Sequence, residues 1–237
     1  MSNRTVTPSV QLTAAQTLEG YDRWAPGYDE HVNPLVAATG WLLEQALPPW
    51  AGADVVELGC GTGRNAAAVL AAGARSYLGV DGSEGMLAQA RHRVADGRAA
   101  FCLADLHRRL PLPDGCCDQL LIVLVLEHIA APGQLFAEVA RLLRPGGELR
   151  LLEIHPELLG AGRNAHFELE GTEVRFTSQL HPVAALLDAL TAAGLAVAAE
   201  RSVSAETLAS IVPRLARHVG RDVVLDLVAR KRYTGTR

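Results

Sequence analysis

The run Val55-Val56-Glu57-Leu58-Gly59-Cys60-Gly61-Thr62-Gly63 constrains this chain more than any other segment. A short apolar strand enters a turn with glycine at every second position, and an alanine-rich helical stretch follows at once. Glycines at such a turn let backbone N–H groups approach a ligand closely, and the helix that begins there favours an anionic group at its N-terminus. Twenty-two residues beyond Gly59, a second apolar run, Tyr77-Leu78-Gly79-Val80, ends in Asp81. An acidic residue at the tip of the second strand is where a doubly wound α/β fold grips ribose hydroxyls. The two segments together predict a nucleoside-containing ligand.

Glycine spacing narrows the ligand. A dinucleotide fingerprint places a small third residue three positions after its second glycine. Here that position holds Arg64, and the third glycine arrives one step early, as Gly59-x-Gly61-x-Gly63. No Tyr-x-x-x-Lys pair follows downstream. Both features count against a nicotinamide-dependent oxidoreductase, which stands as the first alternative.

Strand and helix then alternate strictly, the signature of a parallel sheet. The pattern predicts strands near 53–58, 76–80, 99–103, 118–125 and 148–154, with helices near 63–72, 83–94 and 133–144. Leu135, Val139, Leu142 and Leu143 recur at helical spacing and should face the sheet. The run Leu120–Leu126 is apolar throughout, as suits a central strand covered on both faces. Beyond it, 166–170 and 173–177 alternate about Gly171-Thr172, predicting a hairpin with a type II′ turn. A helix over 182–193, ended by Gly194, and strands near 195–203 and 222–230 complete the pattern. Upstream, residues before about Leu12 read as mobile and Gln11–Trp50 as a helical arm. That arm holds all three tryptophans, Trp24, Trp41 and Trp50, in a chain with 5% aromatics. They are expected to pack the arm on the sheet and to cap the ligand end of the fold. The expected organisation is a single domain in two parts, an arm or lid over 1–50 and a ligand-binding unit over 51–237.

The composition is that of a globular chain, 49% hydrophobic and 20% charged over 237 residues. A formal charge of −4 gives no electrostatic reason to expect nucleic acid as a partner. No signal-peptide pattern or membrane-spanning apolar run is present, so no membrane association is expected. Cys60, Cys102, Cys116 and Cys117 show neither a metal-ligand spacing nor a disulfide framework, which predicts reduced thiols in the cytoplasm. No acidic pair has a convincing metal geometry, and no metal is expected. Oligomeric state is not legible.

Several landmarks occur in the order of one family. After the Glu57–Gly63 run come Val80-Asp81-Gly82-Ser83 with Met86-Leu87, then Asp105-Leu106, Leu110-Pro111-Leu112-Pro113-Asp114, Leu126-Glu127-His128-Ile129 and Leu142–Gly147. Tyr21-Asp22 and Tyr28-Asp29 precede them. Over roughly residues 20 to 230 the chain resembles the class I S-adenosylmethionine-dependent methyltransferases that act on small molecules. The resemblance implies an α/β, Rossmann-like fold. Its sheet would have seven strands, mostly parallel, with helices on both faces and a hairpin insertion after the fifth strand. It also implies S-adenosylmethionine as cofactor, leaving as S-adenosylhomocysteine, and a small-molecule acceptor as partner. Carried over position by position, Glu57, Gly59 and Gly61 would hold the methionine part. Asp81 would take both ribose hydroxyls, Gly82 and Met86 would lie beside the adenosine, and Asp105 and Leu106 would meet the adenine. Tyr21 and Tyr28 would cover the site from the arm.

Methyl transfer needs alignment above all, and a base where the acceptor must lose a proton. Imidazole titrates near neutrality, and the candidates in order are His155, His181 and His128. A noncatalytic protein that retains the cofactor pocket is the second alternative.

Overall fold

The computed structural model describes residues 8–30, 33–46, 50–162 and 165–233. In chain order the elements are β1 (Ser9–Leu12), α1 (Thr17–Trp24), α2 (Pro34–Gln45), β2 (Asp54–Leu58), α3 (Ala66–Ala71), β3 (Ser76–Asp81) and α4 (Glu84–Arg93). There follow β4 (Ala99–Leu103), β5 (Cys117–Val123), α5 (Pro132–Leu142), β6 (Leu143–Ile154), α6 (Pro156–Gly160), β7 (His166–Leu169) and β8 (Thr172–Phe176). The last are α7 (Val183–Ala192), β9 (Leu195–Ser204), α8 (Ala205–Ala209) and β10 (Asp222–Lys231).

Seven strands form one sheet in the order β4-β3-β2-β5-β6-β10-β9. All neighbours are parallel except β10, which runs antiparallel to both β6 and β9. The strand order reverses between β2 and β5, so the crevice at their carboxyl ends is the switch point where ligands of such sheets bind. β5 explains its own apolar run. Leu120 and Ile122 pack on one face with α5 and α7, while Leu121 packs on the other with α2, α3 and α8. All three are fully buried, and each contributes ~1.5–3 kcal/mol relative to an exposed side chain. α5 presents Leu135, Phe136, Val139 and Leu142 to the same core.

The expected seven-stranded architecture is present, with three differences in detail. The first concerns the chain's start. Ser9–Leu12 is neither mobile nor helical; it is a strand that pairs in parallel with β8, making a second sheet in the order β1-β8-β7. Residues 1–7 lie outside the described part. The hairpin turn is also not type II′. Glu170 and Gly171 both have positive φ, 50° and 76°, and Leu169 pairs with Thr172, which is the type I′ geometry. Finally, Leu143 belongs to β6, which begins before the Pro145-Gly146-Gly147 segment; a register shift against β5 between Cys117 and Gln119 absorbs that segment. α6 and α8 were not legible as periodic runs, each being five residues long.

The arm is tied down by its aspartates. Asp22 Oδ1 accepts from Ser83 Oγ at 2.6 Å and from Gly85 N at 2.9 Å, at the start of α4. A Cβ on Gly85 would sit 3.0 Å from the Asp22 carbonyl oxygen, so glycine permits this close approach. Asp29 pairs with Arg93 at the end of the same helix.

Candidate active site

A cavity of about 600 Å³ opens at the carboxyl ends of β2, β3 and β5, and α1 and α2 form its cover. That volume is ordinary for a cofactor site. The glycine turn makes its floor. Gly59 and Gly61 have φ of +75° and +52°, which side-chain-bearing residues rarely adopt. A Cβ on Gly59 would lie 2.4 Å from Val125 Cγ2, whereas one on Gly61 would meet nothing within 4 Å. The first glycine lets two strand ends come together, and the second leaves room over the loop.

Asp81 ends β3 with one oxygen accepting from Gly61 N at 2.8 Å and the other from Ser83 N at 2.9 Å. Burial pushes its carboxyl above the usual range against these hydrogen bonds. Each oxygen keeps a lone pair for a further donor. Glu57 is buried beneath the turn, where Asn65 donates to Oε1 at 2.6 Å and Tyr77 Oη to Oε2 at 2.5 Å. Burial outweighs both donors and pushes its carboxyl up to about 7. Asp105 accepts from His107 N at 2.9 Å, shaping the turn after β4 beside the cavity.

All ten residues predicted to meet the cofactor line this one cavity: Tyr21, Tyr28, Glu57, Gly59, Gly61, Asp81, Gly82, Met86, Asp105 and Leu106. The histidines divide. His128 lines the cavity, and its Nε2 lies 2.8 Å from Tyr21 Oη. Burial lowers its pKa, so the ring is neutral at pH 7, and its Nδ1 is buried with no partner. The two preferred candidates lie elsewhere. His155 Nδ1 caps α6 by accepting from Glu157 N, and Nε2 lies 3.1 Å from Ser202 Oγ on β9. His181 Nε2 lies 2.8 Å from the Ile129 carbonyl. Neither lines the cavity. His155, Glu157 and Asp222 could place ligand atoms within 4.8 Å of one another. Glu157, however, already accepts from Asp222 N, and both His155 nitrogens have partners.

Aromatic rings join the arm to the hairpin above His128. Tyr21 stacks on Phe176 at 4.6 Å between centroids, Trp24 on Phe167 at 5.1 Å, and Trp24 meets Tyr28 edge-on at 4.6 Å. Trp24 therefore serves the cover, Trp41 lines the cavity, and Trp50 is core. Sequence reasoning missed much of the remaining wall: Val36, Ala37, Gly40 and Glu44 of α2 beside Trp41, with Val123 ending β5 and Leu124 and Val125 after it. The signal was present, since 36, 37, 40, 41 and 44 fall on one helical face.

A buried carboxylate holds the wall beside His128. Leu124 has φ of +57°, and the chain then turns so that Val125 N donates to Glu153 Oε1 at 2.9 Å and Oε2 at 3.1 Å. Burial pushes Glu153 up to about 8, so at pH 7 it is mostly the neutral acid. Glu153→Gln, which keeps an accepting oxygen, is therefore expected to leave the unfolding free energy within about 1 kcal/mol of the parent, whereas Glu153→Ala strands a buried N–H and costs roughly 1–3 kcal/mol. Urea denaturation of the two variants checks this.

Comparison with known proteins agrees with the geometry. A family model described as a methyltransferase domain matches residues 56–151. An uncharacterised methyltransferase of Emericella nidulans is 30% identical over 225 residues, covering 79% of this chain and 78% of that protein. Human methyltransferase-like protein 27 is 40% identical over 138 residues, 56% of each chain, so here the match spans only about half of the relative. Among solved structures, the S-adenosylmethionine-dependent methyltransferase from Mesorhizobium loti superposes with a TM-score of 0.69 at 27% identity, covering 83% of this chain and 99% of that one. With its sheet order, its glycine turn and a relative matched over most of both lengths, the chain belongs to the S-adenosylmethionine-dependent methyltransferases.

Proposed function

We propose that this protein methylates a small-molecule acceptor held beside S-adenosylmethionine in the cavity over β2, β3 and β5. The observation that carries the reading is the Asp81 carboxylate, fixed by two backbone N–H groups at the cavity wall with accepting capacity left over. A ribose offers two adjacent hydroxyl donors, and a carboxylate accepts both. The open space above Gly61 suits the cofactor's amino-acid end, with Glu57 below to attract its ammonium group. Gly82 and Met86 would flank the adenosine, Asp105 would accept from the adenine amino group beside Leu106, and Tyr21 and Tyr28 would close over it. When bound, the cofactor supplies a methyl group on a sulfonium, an electrophile with a good leaving group.

The chain's own work is alignment, exclusion of water and removal of a proton. Alignment alone can lower a barrier by ~7–11 kcal/mol. For a hydroxyl or amine acceptor, the proton passes to the Tyr21–His128 pair. His128 is neutral at pH 7 and accepts at Nε2, directly or through Tyr21 Oη, with Nδ1 carrying the hydrogen of the neutral ring. Labelled methyl donor incubated with metabolite extracts, followed by mass analysis, tests the activity; no labelled product from any extract contradicts it.

The elevated Glu57 carboxyl gives a pH signature. A bound ammonium favours the carboxylate form, so binding below pH ~7 must expel a proton. S-adenosylhomocysteine affinity should therefore rise with pH from 6 to about 8 and then level. Binding heats should vary with the ionisation enthalpy of the buffer at pH 6. Identical heats in phosphate and imidazole at that pH would remove Glu57 from the ammonium site.

A further inference from the structure

α2 carries a glycine in its interior, Gly40, with nothing among the described residues packed where its Cβ would be. Glycine weakens a helix relative to alanine because it adds backbone freedom to the unfolded chain, so an interior glycine calls for a reason. Gly20 in α1 and Gly85 in α4 have one. A Cβ on Gly20 would strike Leu12 Cδ1 at 2.5 Å, and one on Gly85 would strike the Asp22 backbone. Among the described residues, and apart from its own helix, a Cβ on Gly40 would meet nothing within 4 Å, and Gly40 faces the cavity. Close packing of the protein on itself does not explain this residue; room for something else does.

That room has a definite chemistry. Val36, Ala37, Gly40 and Trp41 form one apolar face of α2, continuous with Val123 and Leu124 at the end of β5. Glu44 stands one turn beyond Gly40 on the same face. Of the charged side chains lining the cavity, Glu44, Glu57, Asp81 and Asp105 are acidic. Among the described residues Arg64 is the lone Arg or Lys there, and it lies over the Tyr28 ring at 5.2 Å with Asp29 at 3.7 Å. An anion against α2 would thus be desolvated beside a carboxylate with no free cation to receive it.

We propose that this face of α2 is the acceptor chamber, that Gly40 sets its depth, and that it takes an uncharged apolar molecule carrying no phosphate, sulfonate or carboxylate. The proposal rests on the methyl-transfer reading of the cavity and goes beyond it in naming the acceptor's class and the residue that admits it.

A matched pair of fluorescent probes tests it: N-phenylnaphthylamine, which is uncharged, and anilinonaphthalene sulfonate, the same skeleton with a sulfonate. Both are titrated into protein saturated with S-adenosylhomocysteine. The uncharged probe should bind once per chain and at least roughly tenfold more tightly than the sulfonate. Gly40→Leu should weaken it by a further factor of about ten or more by filling the chamber, while S-adenosylhomocysteine affinity stays within about twofold. Gly40→Ala should raise the melting temperature and weaken the uncharged probe by less than Gly40→Leu does, a graded loss that follows the volume added to the chamber. Equal binding of the two probes, undiminished binding in Gly40→Leu, or no uptake of the uncharged probe each overturns the proposal. Failure of the methyl-transfer reading would show separately, as absence of S-adenosylhomocysteine binding before either probe is added.

Discussion

Asp81→Ala is expected to weaken S-adenosylhomocysteine binding by at least about 100-fold while the protein stays folded. Two hydrogen bonds from hydroxyls to a carboxylate are lost, each worth ~1.5–3 kcal/mol when the acceptor is charged. The same carboxylate also orders the floor, because it accepts from Gly61 N and Ser83 N. Asp81→Asn separates the two effects. It keeps one accepting oxygen and should recover part of the loop geometry without the charge. Calorimetric titration measures both variants, and circular dichroism confirms that the fold persists. Affinity within threefold of the parent in Asp81→Ala would place the ribose elsewhere.

His128→Ala is expected to lower kcat by about 10²–10⁴-fold, the usual contribution of a positioned general base, with S-adenosylhomocysteine affinity little changed. The physical basis is its burial in the cavity wall. The ring is held edge-on to Tyr21 with centroids 5.3 Å apart, and Nε2 has Tyr21 Oη as its partner. Tyr21→Phe removes only that hydroxyl and leaves the stack on Phe176 intact, so it should lose a smaller factor of the same kind. The companion substitutions His155→Ala and His181→Ala should leave kcat within about twofold, because both rings sit outside the cavity. A drop of similar size for His155→Ala, with His128→Ala fully active, would restore the order expected from sequence alone.

The placement of the three histidines shows what sequence could and could not supply. The cavity-lining residues around the glycine turn were legible because each is fixed by local chemistry: glycines where φ is positive, an acid at a strand tip, a serine cap at Ser83 for α4. Their gathering in one cavity follows from the switch in strand order. The histidines depend instead on where a side chain points once its strand has ended. Leu124 adopts a left-handed conformation, and the short turn after it brings His128 into the cavity wall. His155 leaves β6 as the cap of α6 and reaches towards β9. Nothing in a run such as Leu124-Val125-Leu126 announces positive φ, which β-strand propensity would disfavour.

β1 was hidden for a related reason. Its four residues bury only Leu12, too short an alternation to show, and its partner β8 lies some 160 positions away. The hairpin's existence was legible from its alternation, but its turn type depended on Glu170 adopting positive φ ahead of Gly171, which makes 170–171 rather than 171–172 the central pair. α2 was anticipated as part of a helical arm. Its cavity-lining face was not, since Gly40 is informative only once the space in front of it is known.

The most direct test is a crystal structure of the protein grown with S-adenosylhomocysteine. The account predicts one ligand per chain, with both ribose hydroxyls within about 2.6–3.2 Å of the Asp81 oxygens, the amino-acid end over Gly61 and the sulfur facing the Tyr21–His128 pair. A ribose bound away from Asp81, or an empty cavity at saturating ligand, contradicts it.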